Sequence, residues 1–390
     1  MIENGFTYLA LLMMIASSIV YIEKKSQHKL FEYLPAIVII YFVVMLASTF
    51  GLWEKTDAIT ATYKSIKSTL LPAMIFLMLL LADMREIVKL GPKMILTFLL
   101  ASLSISLGFI GMFALLHTSF DAASSEAWKA FAALSGSWMG GTANMVAIQG
   151  ALNIPDSAMG YTLLIDSIDY AIWVMILLAL VPFAKRFNTW SKADTSVIDE
   201  VGQRLALKEA NKKPIDFASL FFLLGVSLFV SALAQYGAGF LPTTSFLTST
   251  TWVVIIATLS GTLFAMTPLA KISGSSELAN IMLYLIVALI ASRANFSELS
   301  QAPLYIFAGF VIIAIHASIM VLFAKLFKLD LFSLGVASLA NIGGVASAPI
   351  LASAYSKALI PIGVLMAMMG YILGTFAGLM VGNILSIINT

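Results

Sequence analysis

Apolar runs separated by short polar gaps recur from one end of the chain to the other. They fall at about 5–22, 33–51, 68–84, 93–117, 127–151 and 158–183. After one long polar interval they resume at about 217–236, 250–270, 278–292, 303–324, 332–354 and 358–388. A helix needs roughly 18 or more apolar residues to cross the hydrocarbon layer of a bilayer, and most of these runs reach or approach that length. The pattern predicts an all-α polytopic membrane protein with about six hydrophobic segments in each half. Its parts are an N-terminal transmembrane repeat over 1–183, a charged linker over 184–216 and a C-terminal transmembrane repeat over 217–390. Composition agrees: 60% of the 390 residues are hydrophobic and only 11% are charged. A soluble domain of this length would need far more charge on its surface.

Two of the runs are interrupted in the same way. SGSWMGGTANM (Ser135–Met145) lies in the fifth run of the first half, and SLANIGGVASA (Ser338–Ala348) in the fifth run of the second. At one constant offset Ser135 matches Ser338, Gly140 matches Gly343, Gly141 matches Gly344 and Ala143 matches Ala346, with Asn144 opposite Ser347. MIFLMLLLADM and MLYLIVALIAS occupy the third run of each half. The chain is therefore expected to be an internal repeat. Adjacent glycines weaken a helix, and backbone unwound at mid-membrane is tolerated only where it is buried in protein or lines a cavity. The half-helix ends add partial charges, so paired glycine breaks point to the binding site of a secondary transporter. The competing reading is that the glycines only let helices pack closely.

Charge gives the expected orientation. EKKSQHK after the first run and DMREIVKLGPK after the third are basic and belong on the cytoplasmic side, whereas HTSFDAASSEAWK leans acidic and belongs outside. The linker is basic again, with Lys185, Arg186, Lys192, Lys212 and Lys213, yet six spanning runs from an outside N-terminus would put it outside. If each glycine-broken run is a re-entrant hairpin with its tip at the glycine pair, the linker, Lys325 and Lys328 all fall inside and the halves become inverted. Alternatively the broken runs cross and one weak segment, such as 278–292, does not. The linker's middle, VIDEVGQRLALKEANKK, has a helical rhythm with Glu209 and Lys213 four apart. The start, MIENGFTYLALLMM, is acidic where a secretory leader is basic, so the first run is expected to be retained.

Candidate chemistry centres on GYTLLIDSIDYAIWV, where Asp166 and Asp169 are three residues apart and share a helix face with Thr162 and Tyr170. Two close carboxylates in a low dielectric need a proton or a cation between them. A sodium ion would take about five or six oxygens. The aspartates, Thr162, Thr142, Asn144 and carbonyls freed near Gly140 and Gly141 are the candidate ligands. The plainer reading is that the aspartates cap or hydrogen-bond neighbouring helices. The matched positions in the last run are Met369 and Ile372, so the second half lacks the carboxylates. Candidate solute contacts are Ser135, Ser137 and Trp138 at the first break, and Ser338, Asn341, Gly343, Gly344 and Ser347 at the second. His316, inside FVIIAIHASIMVLF, is a proton relay, an anion contact or an interhelical hydrogen bonder. Arg293 and Glu298 lie past a helix end, where Arg293 is either interfacial or a guard of the substrate entrance.

Several classes are set aside. The chain has no cysteine, hence no disulfide, Fe–S cluster or thiol nucleophile. It lacks GxxxxGK[ST], HExxH and GxSxG, so no hydrolase is expected and an ion gradient would supply the energy. No cofactor beyond a coupling sodium ion or proton is implied. The basic residues sit in short loops rather than in a patch, which argues against nucleic acid.

Over nearly its whole length the chain resembles the YjcL-like family of bacterial membrane proteins. The resemblance is anchored on SGSWMGGTANM with LIDSIDY and on SLANIGGVASAPI. That family carries a domain of unknown function and is grouped with the cation:proton antiporter/anion transporter superfamily. The resemblance implies two inverted repeats forming a core and a panel domain, with two discontinuous helices meeting in the core and an elevator-like movement past the panel. It places the core in runs four to six and ten to twelve, cation-binding carboxylates at Asp166 and Asp169, and a homodimer interface on the panel. It also implies a multi-pass protein of the bacterial inner membrane with a cytoplasmic linker. The last run lacks the lysine that some antiporters carry there. The expected function is cation-coupled secondary transport, by sodium symport of a small organic solute, an anion included. A sodium/proton antiporter without organic substrate and a non-transporting channel or scaffold are the alternatives.

Overall fold

The computed structural model describes residues 1–26, 36–54, 56–120, 127–194, 214–244, 248–294, 302–356 and 359–389. Glu209, Lys212, Lys213 and Glu298 lie outside the described residues, as does the helical rhythm expected in the linker. Among the described residues there is no β-strand, only an isolated bridge between Ile2 and Trp53.

The first half contains α1 (Gly5–Ser26), α2 (Ala36–Thr49), α3 (Asp57–Leu79) and α4 (Pro92–Leu116). It continues with α5 (Ala127–Gly140), α6 (Thr142–Ala151), α7 (Ala158–Leu180) and α8 (Ala184–Ser191), the last opening the linker. The second half contains α9 (Phe217–Ala238), α10 (Ser249–Phe264), α11 (Ser275–Ala291) and α12 (Ala302–Phe327), followed by α13 (Leu331–Ile342), α14 (Gly344–Tyr355) and α15 (Ile360–Ile388). Side-chain caps fix several starts. Asp216 accepts from the Ser219 amide at 3.0 Å ahead of α9, and Asp330 from the Ser333 amide at 2.7 Å ahead of α13. Thr248 and Thr251 form a reciprocal capping box at α10.

α3 departs from the hydropathy pattern, which put its start near 68. It begins at Asp57, where the Thr56 hydroxyl accepts from the Ile59 amide at 3.3 Å and Asp57 faces the positive end of the helix. Lys64 and Lys67 mask this first stretch to a hydropathy reading.

Seven helices, among the described residues, are long and apolar enough to cross a membrane: α1, α3, α4, α7, α9, α12 and α15. α2, α10 and α11 are apolar but shorter. The runs at 127–151 and 332–354 are each divided into two helices. In both, the second helix folds back on the first. A Cβ at Gly136 of α5 would lie 2.2 Å from Ile148 Cδ1 of α6, and one at Gly335 of α13 would lie 3.0 Å from Leu351 Cδ2 of α14. Contacts that pair residues symmetrically about the turn are those of a helical hairpin, not of two coaxial half-helices.

The buried apolar side chains form two clusters. One joins α4, α5, α7 and α12–α15, for example Phe98, Trp138, Trp173, Ile312, Val336 and Met366. The other joins α1–α3 and α9–α11 with the flank of α6, for example Tyr41, Phe76, Ile148, Val254 and Ile286. Lipid tails are as apolar as leucine, so close backbone approach rather than hydrophobic burial must fasten such helices. α15 provides it: Gly374, Gly378 and Gly382 run antiparallel along α5, and a Cβ at Gly374 would lie 2.7 Å from Gly140 Cα.

Candidate functional site

A cavity of about 450 Å³ opens between the two hairpin turns. On one side it is lined by Gly141 and Thr142, by Gly343 and Gly344, and by Asp166. Tyr170 of α7 and Tyr371 of α15 complete that wall. The opposite wall comes from the other apolar cluster: Ile37 and Val38 of α2, and Ser276, Asn280 and Tyr284 of α11.

The two glycine pairs divide their labour alike. The first of each pair is there for space. A Cβ on Gly140 would lie 1.7 Å from Asn144 Nδ2 and 2.4 Å from the Gly370 carbonyl oxygen, while one on Gly343 would lie 2.0 Å from Ser347 Oγ and 2.4 Å from Tyr170 Cε2. The second is there for conformation: Gly141 has φ +92° and Gly344 φ +59°, with open room around both. Asn144 and Ser347, paired in the sequence alignment, therefore hold the same place against their glycines.

Asp166 is the charged side chain on the cavity wall. Its oxygens accept from the Ser137 hydroxyl at 3.1 Å and from Trp138 Nε1 at 3.0 Å. A carboxylate has about four lone-pair sites, so capacity remains for a cation or a donor from a solute. No basic side chain is among the described residues lining the cavity. Asp169 faces elsewhere. It is fully buried, its two oxygens find no partner among the described residues, and Oδ2 occupies the space that a side chain on Gly309 of α12 would take.

The remaining candidates separate by distance from the cavity. Ser137, Gly141, Thr142, Gly343 and Gly344 line it together with Asp166. Trp138 reaches it through Asp166, with its ring against Phe109 edge-to-face at 5.6 Å. Asn144 donates to the Gly370 carbonyl at 3.0 Å and ties the first hairpin to α15. Thr162 donates to the Ala130 carbonyl at 3.1 Å and Ser135 to the Ala132 carbonyl at 2.8 Å, both inside helix contacts.

In the second hairpin Ser338 and Asn341 turn away from the cavity. Asn341 accepts from Ser102 at 2.7 Å and donates to the Ala337 carbonyl at 2.9 Å. Ser338 accepts from Trp173 Nε1 at 2.8 Å and meets His316 Nε2 at 2.8 Å, while His316 Nδ1 meets Ser104 at 2.7 Å. Ser104 already donates to the Ala101 carbonyl, which fits a neutral imidazole with its hydrogen on Nδ1. Of the three roles open to His316, this geometry is that of an interhelical hydrogen bonder. Arg293 stacks over the Tyr63 ring at 5.6 Å and donates to Thr60 at 3.3 Å.

Among the cavity residues that the motifs do not reach are Ser276, Asn280 and Tyr284. Their spacing of four puts them on one face of α11, so a polar stripe in an apolar run was the available signal. Gly370, Gly374, Gly378 and Gly382 were equally visible as a ladder of small residues.

The model of a family described as "Protein of unknown function (DUF819)" matches residues 10–388. The chain is similar to the "Uncharacterized membrane protein YjcL" of Bacillus subtilis (strain 168), 26% identical over 338 residues, which is 82% of this chain and 83% of that protein. Sequence kinship and seven apolar helices agree on a multi-pass membrane protein.

Proposed function

Since the chain belongs to the DUF819 family, whose Bacillus relative is named for a membrane and for no substrate, its chemistry has to come from the cavity, and we propose that it is a cation-coupled secondary active transporter. One observation carries this: both glycine turns and Asp166 open on the same cavity, which the two apolar clusters share. Interrupted helices that only packed together would have no reason to leave polar space at their turns.

In this reading sodium binds at Asp166 with Ser137 and Thr142 close by. A small organic solute sits between the hairpin turns and Asn280 and Tyr284. An anionic solute would bind only beside the cation, because the cavity wall offers it Asp166 and, among the described residues, no basic partner. The two halves act as inverted repeats, each hairpin entering from one side. The body of α4–α7 and α12–α15 moves as an elevator past α1–α3 and α9–α11. A homodimer in the inner membrane, with the linker in the cytoplasm, belongs to the same proposal. The second reading, a sodium/proton antiporter without organic substrate, is favoured by Asp169, a buried carboxyl whose oxygens find no partner among the described residues and which suits a proton better than a metal ion.

The test is thermal stability of the purified protein titrated with sodium chloride against matched potassium and choline chloride. A ligand bound only by the folded state at about 100 Kd adds roughly 2.7 kcal/mol. A sodium-specific rise lost in Asp166→Asn and retained in Asp169→Asn is the expected result. A rise lost only in Asp169→Asn would move the cation to the second carboxylate. A response to pH alone would favour the antiporter. No response to either would leave a channel or scaffold.

A further inference from the structure

Outside the cavity, a polar cluster lies where the first hairpin ends. Asp156, between α6 and α7, accepts from the Tyr63 hydroxyl at 2.9 and 2.7 Å, from Lys67 Nζ at 3.2 Å and from Gln149 Nε2 at 2.7 Å. Its backbone carbonyl accepts from the Tyr41 hydroxyl at 3.3 Å. Five residues earlier, the Ala151 carbonyl accepts from Thr251 at 2.7 Å and from Thr248 at 3.2 Å. Side chains of α2 and α3, with the residues that cap α10, thus converge on the exit of one hairpin. Arg293, stacked on Tyr63, backs the cluster from the end of α11.

We infer that this cluster is a conformational latch, in which Asp156 fastens the first hairpin to α3 and closes one end of the cavity until Lys67 and Tyr63 release it. The inference rests on the transport reading, in which the two bodies slide. Its chemistry is suited to opening and closing. Hydrogen bonds fasten in one geometry only, and each can be exchanged for a bond to water when the bodies part. Lys67 and Asp156 are each 17% exposed, so the pair is not sealed inside the protein. Tyr63 lies in the second turn of α3 and Lys67 one turn further along the same face, while Asp156 stands just before α7. Asp156 also receives more donors than a loop carboxylate needs for capping, and two of the three side chains that reach its carboxylate belong to α3.

The chain has no cysteine, so introduced thiols are unambiguous probes. Asn280→Cys places one on the cavity wall, and a membrane-impermeant maleimide is added to either face of vesicles holding the full-length protein. The parent is expected to react from the face opposite Asp156 and slowly from the Asp156 face. Asp156→Asn and, separately, Lys67→Met should raise labelling from the Asp156 face by about tenfold. A second arm shuts the seam covalently. A Cβ on Gly150 would lie 2.6 Å from Leu71 Cδ2, so the two positions are neighbours, and Leu71→Cys with Gly150→Cys is joined by oxidation or by a short reducible bis-thiol reagent. Once cross-linked, Asp156→Asn should no longer raise labelling, and a reductant should restore the rise. Labelling from the Asp156 face that stays as slow in both variants as in the parent, with the opposite face still reactive, would overturn the latch and leave the transport reading standing. A thiol that reacts from neither face in any variant would overturn the transport reading itself.

Discussion

At the turn of the first hairpin stand Gly140 and Gly141; at the turn of the second stand Gly343 and Gly344. In each, one glycine yields space to a side chain four residues on, and the next adopts a positive φ. The polar side chains around these turns have no such agreement. Ser137 and Trp138 of the first hairpin turn to Asp166 at the cavity, whereas Ser338 and Asn341 of the second turn to His316, Trp173 and Ser102 within the helix packing. The difference has a physical origin. A backbone that must reverse at mid-bundle accepts few residues at its turn. A polar side chain in a membrane protein needs only a partner, and any neighbouring helix can supply one. Two turns can therefore share a geometry while the chemistry around them differs.

The largest effects should come from breaking the seats of the hairpins on α15. Gly374→Leu would drive a side chain into Gly140 Cα, 2.7 Å from its Cβ, and Gly363→Leu into the Ala348 carbonyl carbon at 2.8 Å. Both meet backbone that cannot swing aside, so each is expected to cost about 3 kcal/mol in thermal unfolding of the detergent-solubilised protein. Equal losses would mean that the hairpins are seated alike. A loss confined to Gly374→Leu would make the second hairpin the looser of the two.

Next in size are the turn conformations. Gly141→Ala and Gly344→Ala meet no close atom, yet each forces a Cβ onto a left-handed residue, at about 1–2 kcal/mol. Gly141 combines φ 92° with ψ 171°, a region open almost only to glycine, so its substitution should not be the cheaper of the two, and only Gly141→Ala should also weaken the sodium response, because Thr142 and Asp166 share its side of the cavity. If Gly344→Ala weakens it equally, the cation contacts both turns.

Much of this was legible in the sequence because bilayer solvation writes itself as hydropathy. The apolar helices could be read that way, and the matched glycine pairs marked where two of the runs divide. What could not be read depends on partners brought together from afar. Asp166 and Asp169 look equivalent at a spacing of three, but Gly309 on α12 makes a niche for one while Ser137 and Trp138 hold the other at the cavity. Asp156 looks like a loop carboxylate until Tyr63 and Lys67, nearly a hundred residues earlier, fold against it. The start of α3 was hidden by lysines, one of which, Lys67, pairs with Asp156.

The smallest effect is the sharpest test of how the hairpins differ. His316→Leu removes the hydrogen bonds to Ser104 and Ser338, yet leaves Ser104 its bond to the Ala101 carbonyl and Ser338 its bond from Trp173. Interhelical hydrogen bonds in membranes average about 0.6 kcal/mol, so the loss should be about 1 kcal/mol. The sodium response should be unchanged, because the chain from His316 through Ser338 ends in Trp173 and not in the cavity. Asp166→Asn should behave in the opposite way, abolishing the response with little change in unliganded stability, since Asn can still accept from Ser137 and Trp138. The crossed pattern would separate a structural polar network in the second hairpin from a binding one in the first. A sodium response lost in His316→Leu as well would mean that both hairpins carry the chemistry, and that their divergence is confined to the resting contacts.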